Sequence, residues 1–138
     1  MKKFILSISV LFFLASCSSN ENFEKKTVEK LYAELKKQNN FESELTENTL
    51  FKFLKNVNIA ELKAGKKIDQ EYLFENFKCD CRDKLSIAYS LENNRFELKI
   101  YEEFFEKDLD WCPETTYFFS FKLENNQIKE VKLEQIAG

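Results

Sequence analysis

From residue 85 onward, large apolar residues recur at every second position, and this period of two constrains the fold more than any other feature. One such run covers Leu85–Leu91 and a second covers Phe96–Tyr101. Asn93-Asn94 stands between them, and asparagine tolerates the positive φ that a tight turn requires. The pattern predicts an antiparallel hairpin with one apolar face. With a two-residue turn, the predicted cross-strand pairs are Leu91 with Phe96, Tyr89 with Leu98, and Ile87 with Ile100.

A second hairpin is predicted from the same period in Tyr117–Leu123 and the residues after it. A three-residue turn, Asn125-Asn126-Gln127, pairs Phe121 with Val131 and Phe119 with Leu133. A two-residue turn would set these two phenylalanines against Glu130 and Lys132 instead. Because the register must keep apolar side chains on one face, the pattern favours the longer turn. The two hairpins together predict a four-stranded antiparallel β-meander.

Before residue 79 the apolar period is helical. The first predicted helix, Phe23–Gln38, carries an apolar stripe, with Asn22 or Thr27 as its candidate N-cap. The other predicted helices are Glu47–Asn56 after Thr46, Ile59–Ala64 between Asn58 and Gly65, and a helix that starts at Asp69 and carries Tyr72, Leu73 and Phe77. The predicted fold class is therefore α+β, with N-terminal helices packed on the meander.

The N-terminal residues have the pattern of an export signal rather than of a folded element. Lys2-Lys3 precedes an apolar run, Phe4–Leu14, which is followed by Leu14-Ala15-Ser16-Cys17. Eleven helical residues span roughly 16 Å, too short for a hydrocarbon core of roughly 30 Å. The segment resembles the bacterial lipoprotein signal peptide, and its last four residues resemble the lipobox.

This resemblance implies a lipid on Cys17 and cleavage before it, so that residues 1–16 are removed. Ser18 rather than Asp after that cysteine implies sorting to the outer membrane of the cell envelope. Residues 17–22 are then a short tether, and residues 23–138 are predicted to form a single globular domain. Helices followed by a sheet resemble cystatin-like or nuclear-transport-factor-like lipoproteins in element order, which implies no function.

Composition removes several classes of function. The chain has no histidine and only two glycines, which excludes histidine-based catalytic triads and glycine-rich phosphate loops. Without residues 1–16, 19 basic residues face 24 acidic ones, a net charge of −5. This charge argues against nucleic acid and against an anionic membrane surface, and it is compatible with a basic protein partner or a cation. We expect a binding role rather than an enzymatic one, with no cofactor.

Three further cysteines, Cys79, Cys81 and Cys112, are predicted to come close together when the first hairpin is extended. Thiols in such proximity outside the cytoplasm tend to oxidise. We therefore predict a disulfide from Cys112 to either Cys79 or Cys81, leaving one thiol. The alternative is a soft-metal site that uses all three thiolates.

An acidic stretch follows the first hairpin and is interleaved with aromatic residues. It is interpreted either as a solvated loop or as a recognition surface for a basic protein. The interaction candidates are Glu102, Glu103, Glu106, Asp108, Asp110 and Trp111. The prediction for the whole chain is a lipid-anchored envelope protein that binds a partner. The alternative is a lipoprotein that binds a metal or a small ligand, the latter in a pocket between helices and sheet.

Overall fold

The computed structural model describes residues 21–73 and 80–138, so Cys17 and Cys79 lie outside the described residues. Five antiparallel strands form one sheet in the order β1-β2-β3-β4-β5, which confirms the α+β class. The helices are α1 (Lys25–Lys36), α2 (Glu47–Leu54) and α3 (Ile59–Lys63). The strands are β1 (Ile68–Leu73), β2 (Arg82–Ser90), β3 (Arg95–Glu103), β4 (Glu114–Glu124) and β5 (Gln127–Ala137).

The fifth strand corrects the prediction of four. Residues 68–73 form β1 and not the start of a helix at Asp69. They pair along β2, with Ile68 opposite Ile87 and Gln70 opposite Leu85. The ladder gives these residues hydrogen-bond partners along the edge of β2, and this tertiary pairing outweighs the local N-cap signal. Phe77, the last residue of the predicted helical face, lies outside the described residues.

The other helices follow the predicted patterns, with shorter ends. The Thr46 hydroxyl accepts from the Thr49 N–H at 3.2 Å, and the Asn58 carboxamide oxygen accepts from the Ala60 N–H at 2.9 Å. Gly65 adopts a φ of +96° directly after α3 and its C-cap, as a C′ glycine does. At α1 neither predicted cap is used, because Glu24 occupies the N-cap position and Thr27 donates to the Asn126 carbonyl instead.

The first hairpin has the predicted apolar face but a different register. Tyr89 lies opposite Phe96 and Leu85 opposite Ile100, which leaves a four-residue connection, Leu91–Asn94. The predicted register is wrong by two residues, and a shift of two keeps every side chain on its face. Leu91 therefore leaves the sheet and is 71% exposed.

The second hairpin keeps the predicted pair of Phe119 and Leu133, although its turn has two residues, Asn125-Asn126, and not three. The additional residue lies further along β5, in a bulge around Glu130, which has a φ of +51°. A second register shift follows between Phe118 and Phe119. The apolar pattern correctly predicted that the hairpin contains one extra residue. This residue lies in the bulge on β5 and not in the turn.

The helices cover one face of the sheet, and the core lies between them. Aromatic rings from both layers meet edge to face, with Phe41 4.9 Å from both Tyr117 and Phe119, and Phe23 5.8 Å from Phe96. The most deeply buried aliphatic residues of the helices are Val28, Leu31, Leu35, Leu50, Leu54 and Leu62. Each such side chain stabilises the fold by about 1.5–3 kcal/mol relative to exposure.

The two ends of the sheet differ in what they carry. We call the end with the connections Leu91–Asn94 and Asn125-Asn126 the turn end. We call the opposite end, where β3 finishes at Glu103 and β4 begins at Glu114, the disulfide end. Because α1 begins beside Asn126 and Lys36 in its last turn donates to the Ser43 carbonyl near Glu102, this helix runs from the turn end to the disulfide end.

Candidate functional site

A disulfide joins Cys81 and Cys112, whose Cα atoms are 6.0 Å apart and which are separated by 31 positions in the chain. Cys81 is buried just before β2, and Cys112 lies at the end of the connection between β3 and β4. The Glu103 carboxylate lies within 4.8 Å of both sulfurs. In this oxidised pair neither sulfur is a thiolate, so the pair does not form the soft-metal site of the alternative interpretation.

The disulfide ties the connection between β3 and β4, residues 104–113, to the residue before β2, and we call this connection the acidic loop. The Phe104 N–H donates to the Pro113 carbonyl at 2.7 Å, and the Leu109 N–H donates to the Glu106 carbonyl at 3.1 Å. Phe104, Phe105 and Leu109 are half-buried, which anchors the loop from inside. Trp111, next to the disulfide, is 61% exposed.

The predicted interaction residues separate into two groups. Glu106, Asp108, Asp110 and Trp111 are exposed in the acidic loop. Glu102 is only 2% exposed, so its place in a recognition surface is wrong: it continues the inward-facing alternation of β3 after Ile100. Glu103 is half-buried and accepts from the Arg82 N–H at 2.8 Å and the Tyr101 hydroxyl at 2.7 Å.

A carboxyl pair, formed by the half-buried Asp83 and the buried Glu102, lies directly inside the disulfide end. The two residues are opposite each other across β2 and β3 and therefore face the same side of the sheet. The Ser43 hydroxyl donates to Glu102 Oε1 at 2.5 Å. Asp83 Oδ1 and Glu102 Oε2 accept no hydrogen bond from any residue that the structure describes.

Burial perturbs both acids of this pair. Desolvation, followed by the nearby charge of Glu102, raises the pKa of Asp83 to about 7. Desolvation also raises the pKa of Glu102, although the hydrogen bond from Ser43 opposes it. The pair therefore carries less than two negative charges near neutral pH. This pair was not predicted from the sequence, although Asp83 and Glu102 lie in phase with Leu85 and Ile100 on their strands, and this phase indicates the same face.

Large exposed apolar side chains accompany the acidic loop at the disulfide end. Leu73 is 73% exposed and lies opposite Arg82, the residue after Cys81. Trp111 precedes Cys112, so the disulfide brings Leu73 and Trp111 to the same end of the sheet. Ile136, which is 43% exposed, lies opposite Tyr117 near the start of β4. At the turn end, Leu91 is the corresponding exposed side chain.

A cavity of about 480 Å³ lies on the sheet face opposite the helices. Small residues on the central strands, Ser86 and Ala88, form its floor, and longer side chains such as Lys99 and Phe118 surround it. On one side Arg95 donates to the Ser120 hydroxyl at 2.9 Å and to the Glu130 carboxylate at 3.0 Å. The ligand-binding alternative predicted a pocket between helices and sheet, and this cavity lies on the other face.

Two further findings bear on identity. Within residues 21–73 and 80–138, no helix is both long enough and apolar enough to cross a membrane. Comparison of the chain with protein-family models, with curated proteins and with solved structures finds no match.

Proposed function

We propose that this chain is a lipid-anchored protein of the bacterial cell envelope, sorted to the outer membrane, that binds a basic protein through its acidic loop. The anchoring part rests on the lipobox-like Leu14-Ala15-Ser16-Cys17 and the apolar run before it. The binding part rests on one observation: Trp111 is 61% exposed in a loop that a disulfide ties to the start of β2.

The exposed indole next to the disulfide leaves apolar surface in contact with water, which is unfavourable in free energy until a partner covers it. Tryptophan is the residue that most often dominates the energy of protein interfaces, where its ring becomes desolvated. The disulfide restricts the loop before binding, which lowers the entropy lost when a partner immobilises it. Leu73 and Ile136 enlarge the exposed apolar surface at the same end.

The charge around Trp111 supports a basic partner. Glu106, Asp108 and Asp110 are exposed within five positions of it, and Glu114 is exposed at the start of β4. Carboxylates at the rim of an interface accelerate association with a positively charged protein and repel an acidic one. Because dissolved ions screen the attraction between solvent-exposed charges, binding should weaken as ionic strength rises.

A photo-crosslinking residue placed at position 111 tests the proposal in cells. A second chain carries the same residue at position 91, at the turn end, as the matched control. We expect one basic protein to be captured from position 111 and not from position 91. The proposal fails if both positions capture the same proteins or if position 111 captures none.

Neutralisation of the loop tests the role of charge. We expect the variant Glu106→Gln/Asp108→Asn/Asp110→Asn to lose capture at position 111 by tenfold or more. Neutralisation of three exposed carboxylates elsewhere, Glu21→Gln/Glu92→Gln/Glu97→Gln, is the control with the same change in net charge and should leave capture unchanged. Equal losses in both variants would mean that net charge, and not this loop, governs the interaction.

A second candidate function, binding of a small polar molecule, is favoured by the cavity on the outer face of the sheet. Lys67 and Lys99 contribute cationic groups and Phe118 an aromatic ring to its lining. Replacement of Ala88 by Trp would fill this cavity without touching the acidic loop. If the cavity carries the function, Ala88→Trp abolishes that function, whereas Glu106→Gln/Asp108→Asn/Asp110→Asn retains it. If instead the triple variant loses the function and Ala88→Trp retains it, the protein partner is supported.

A further inference from the structure

The first described residues enter the domain at the turn end. The Glu21 carbonyl accepts from the Ile59 N–H at 3.0 Å, and the Glu24 carboxylate accepts from the Asn126 side chain at 3.2 Å. Between them, the Phe23 ring is buried 5.8 Å from Phe96 and 6.4 Å from Phe121. The polypeptide is therefore fixed beside the β4–β5 turn from its first described residues onward.

The acidic loop lies at the other end of the same strands. β3 runs from Arg95 to Glu103, and nine antiparallel residues advance by about 27 Å. The loop begins after Glu103 and returns at Glu114, so Trp111 lies at least a strand length from the point where the chain enters.

The length of chain before Glu21 limits where a lipid on Cys17 can be. Four peptide steps separate Cys17 from Glu21, and they reach at most about 14 Å. This reach is about half the length of β3. A lipid on Cys17 therefore lies close to the turn end and cannot lie beside the acidic loop.

The charge of the disulfide end agrees with this constraint. The turn end carries charges of both signs, because Lys63 and Lys122 stand beside the exposed Glu92 and Glu124. At the disulfide end, in contrast, Glu106, Asp108, Asp110 and Glu114 are all exposed around Trp111. An anionic lipid surface repels these four carboxylates, which favours a position of the acidic loop away from the bilayer.

We infer that the turn end faces the lipid bilayer and that the acidic loop with Trp111 points away from it into the aqueous compartment. This inference rests on the lipid anchor of the proposed function. It adds that the partner meets the protein about a strand length above the membrane and is not itself required to touch lipid.

Quenching of tryptophan fluorescence tests the orientation, because Trp111 is the only tryptophan of the chain. The full lipidated protein is reconstituted in vesicles that contain anionic lipid, with a spin label on the lipid head groups. We expect little quenching of Trp111 by the lipid label and strong quenching by aqueous iodide. The matched variant Trp111→Phe/Leu91→Trp moves the indole to the turn end and should be quenched at least threefold more by the lipid label.

Flotation of the same vesicles separates the two ways to fail. Protein that does not float with the vesicles overturns the lipid anchor and the orientation with it. Protein that floats but shows equal quenching at positions 111 and 91, or more at 111, overturns the orientation alone. Far-ultraviolet circular dichroism of both proteins confirms that the tryptophan exchange leaves the fold intact.

Discussion

Replacement of Cys112 by Ser opens the loop between Cys81 and Cys112, whose ends are 31 positions apart. In the chain-entropy account, closing a loop of this length destabilises the unfolded chain by about 3.7 kcal/mol at 25 °C. Cys112 is only half-buried, so its replacement leaves no large cavity. We therefore expect Cys112→Ser to lower the free energy of unfolding by about 3–4 kcal/mol, all of it from the lost crosslink.

The measurement is urea unfolding of residues 18–138, purified from an oxidising compartment and followed by far-ultraviolet circular dichroism. Trp111 fluorescence is unsuitable as the signal because release of the loop would change it without unfolding. With a slope of about 1.5 kcal/mol per molar urea, the midpoint should fall by about 2.5 M. The slope itself should rise, because the unfolded chain without a crosslink exposes more surface.

Cys79→Ser is the matched control, because it removes a thiol and keeps the crosslink to Cys81. We expect its free energy of unfolding to change by no more than about 0.5 kcal/mol. We also expect one alkylated thiol in the parent protein and none in Cys79→Ser. If Cys79→Ser costs as much as Cys112→Ser, the pairing is with Cys79 and the placement of the loop is wrong. Three alkylated thiols in the parent, with bound metal, would support the soft-metal alternative.

Three further variants test the buried acids, the core and a helix cap. Because the pKa of Asp83 is raised from 3.8 to about 7, the folded state binds more protons, and the free energy of unfolding falls as pH rises from about 4 to 7. With a discount for partial solvent exposure, Asp83→Asn should remove about 2 kcal/mol of this fall, measured by urea unfolding at pH 4.5 and 8. If the free energy of unfolding of the variant depends on pH as that of the parent does, the burial of the Asp83 charge is contradicted. Leu31→Ala, at 0% exposure, should cost about 2–5 kcal/mol, whereas Leu91→Ala should cost almost nothing; equal thermal midpoints would refute the packing of α1. Asn58→Ala should cost about 1 kcal/mol, and Asn58→Asp should retain most of the cap; equal losses in urea unfolding would exclude capping as the cause.

Most of the secondary structure could be predicted from the sequence because hydrophobic period and cap residues are local signals. The two hairpins and the helices after Thr46 and Asn58 are of this kind. β1 could not be predicted, since the edge of β2 that pairs with it is created only when the sheet forms. The bulge at Glu130 likewise depends on Arg95 and Lys122, which hold its carboxylate from neighbouring strands.

The candidate site was predictable in part. The acidic stretch with Trp111 and the cysteine cluster could be predicted, because both are recognised from the residue types at these positions. The sequence did not indicate that Glu102 turns inward, since an acidic residue within an acidic run is assigned to the surface by default. Only the strand phase, extended past Ile100, separates this glutamate from its neighbours.

The irregular last strand has a consequence for how copies of this protein behave beside one another. β5 is an edge of the sheet, and an unpaired edge is a template on which a second chain can add a strand and begin to aggregate. The register shifts near Glu130 and Phe119 interrupt that template, and Lys129 and Lys132 are exposed along it as charged residues that disfavour strand addition. Straightening of β5, for example by deletion of Glu130, should therefore increase self-association of the protein.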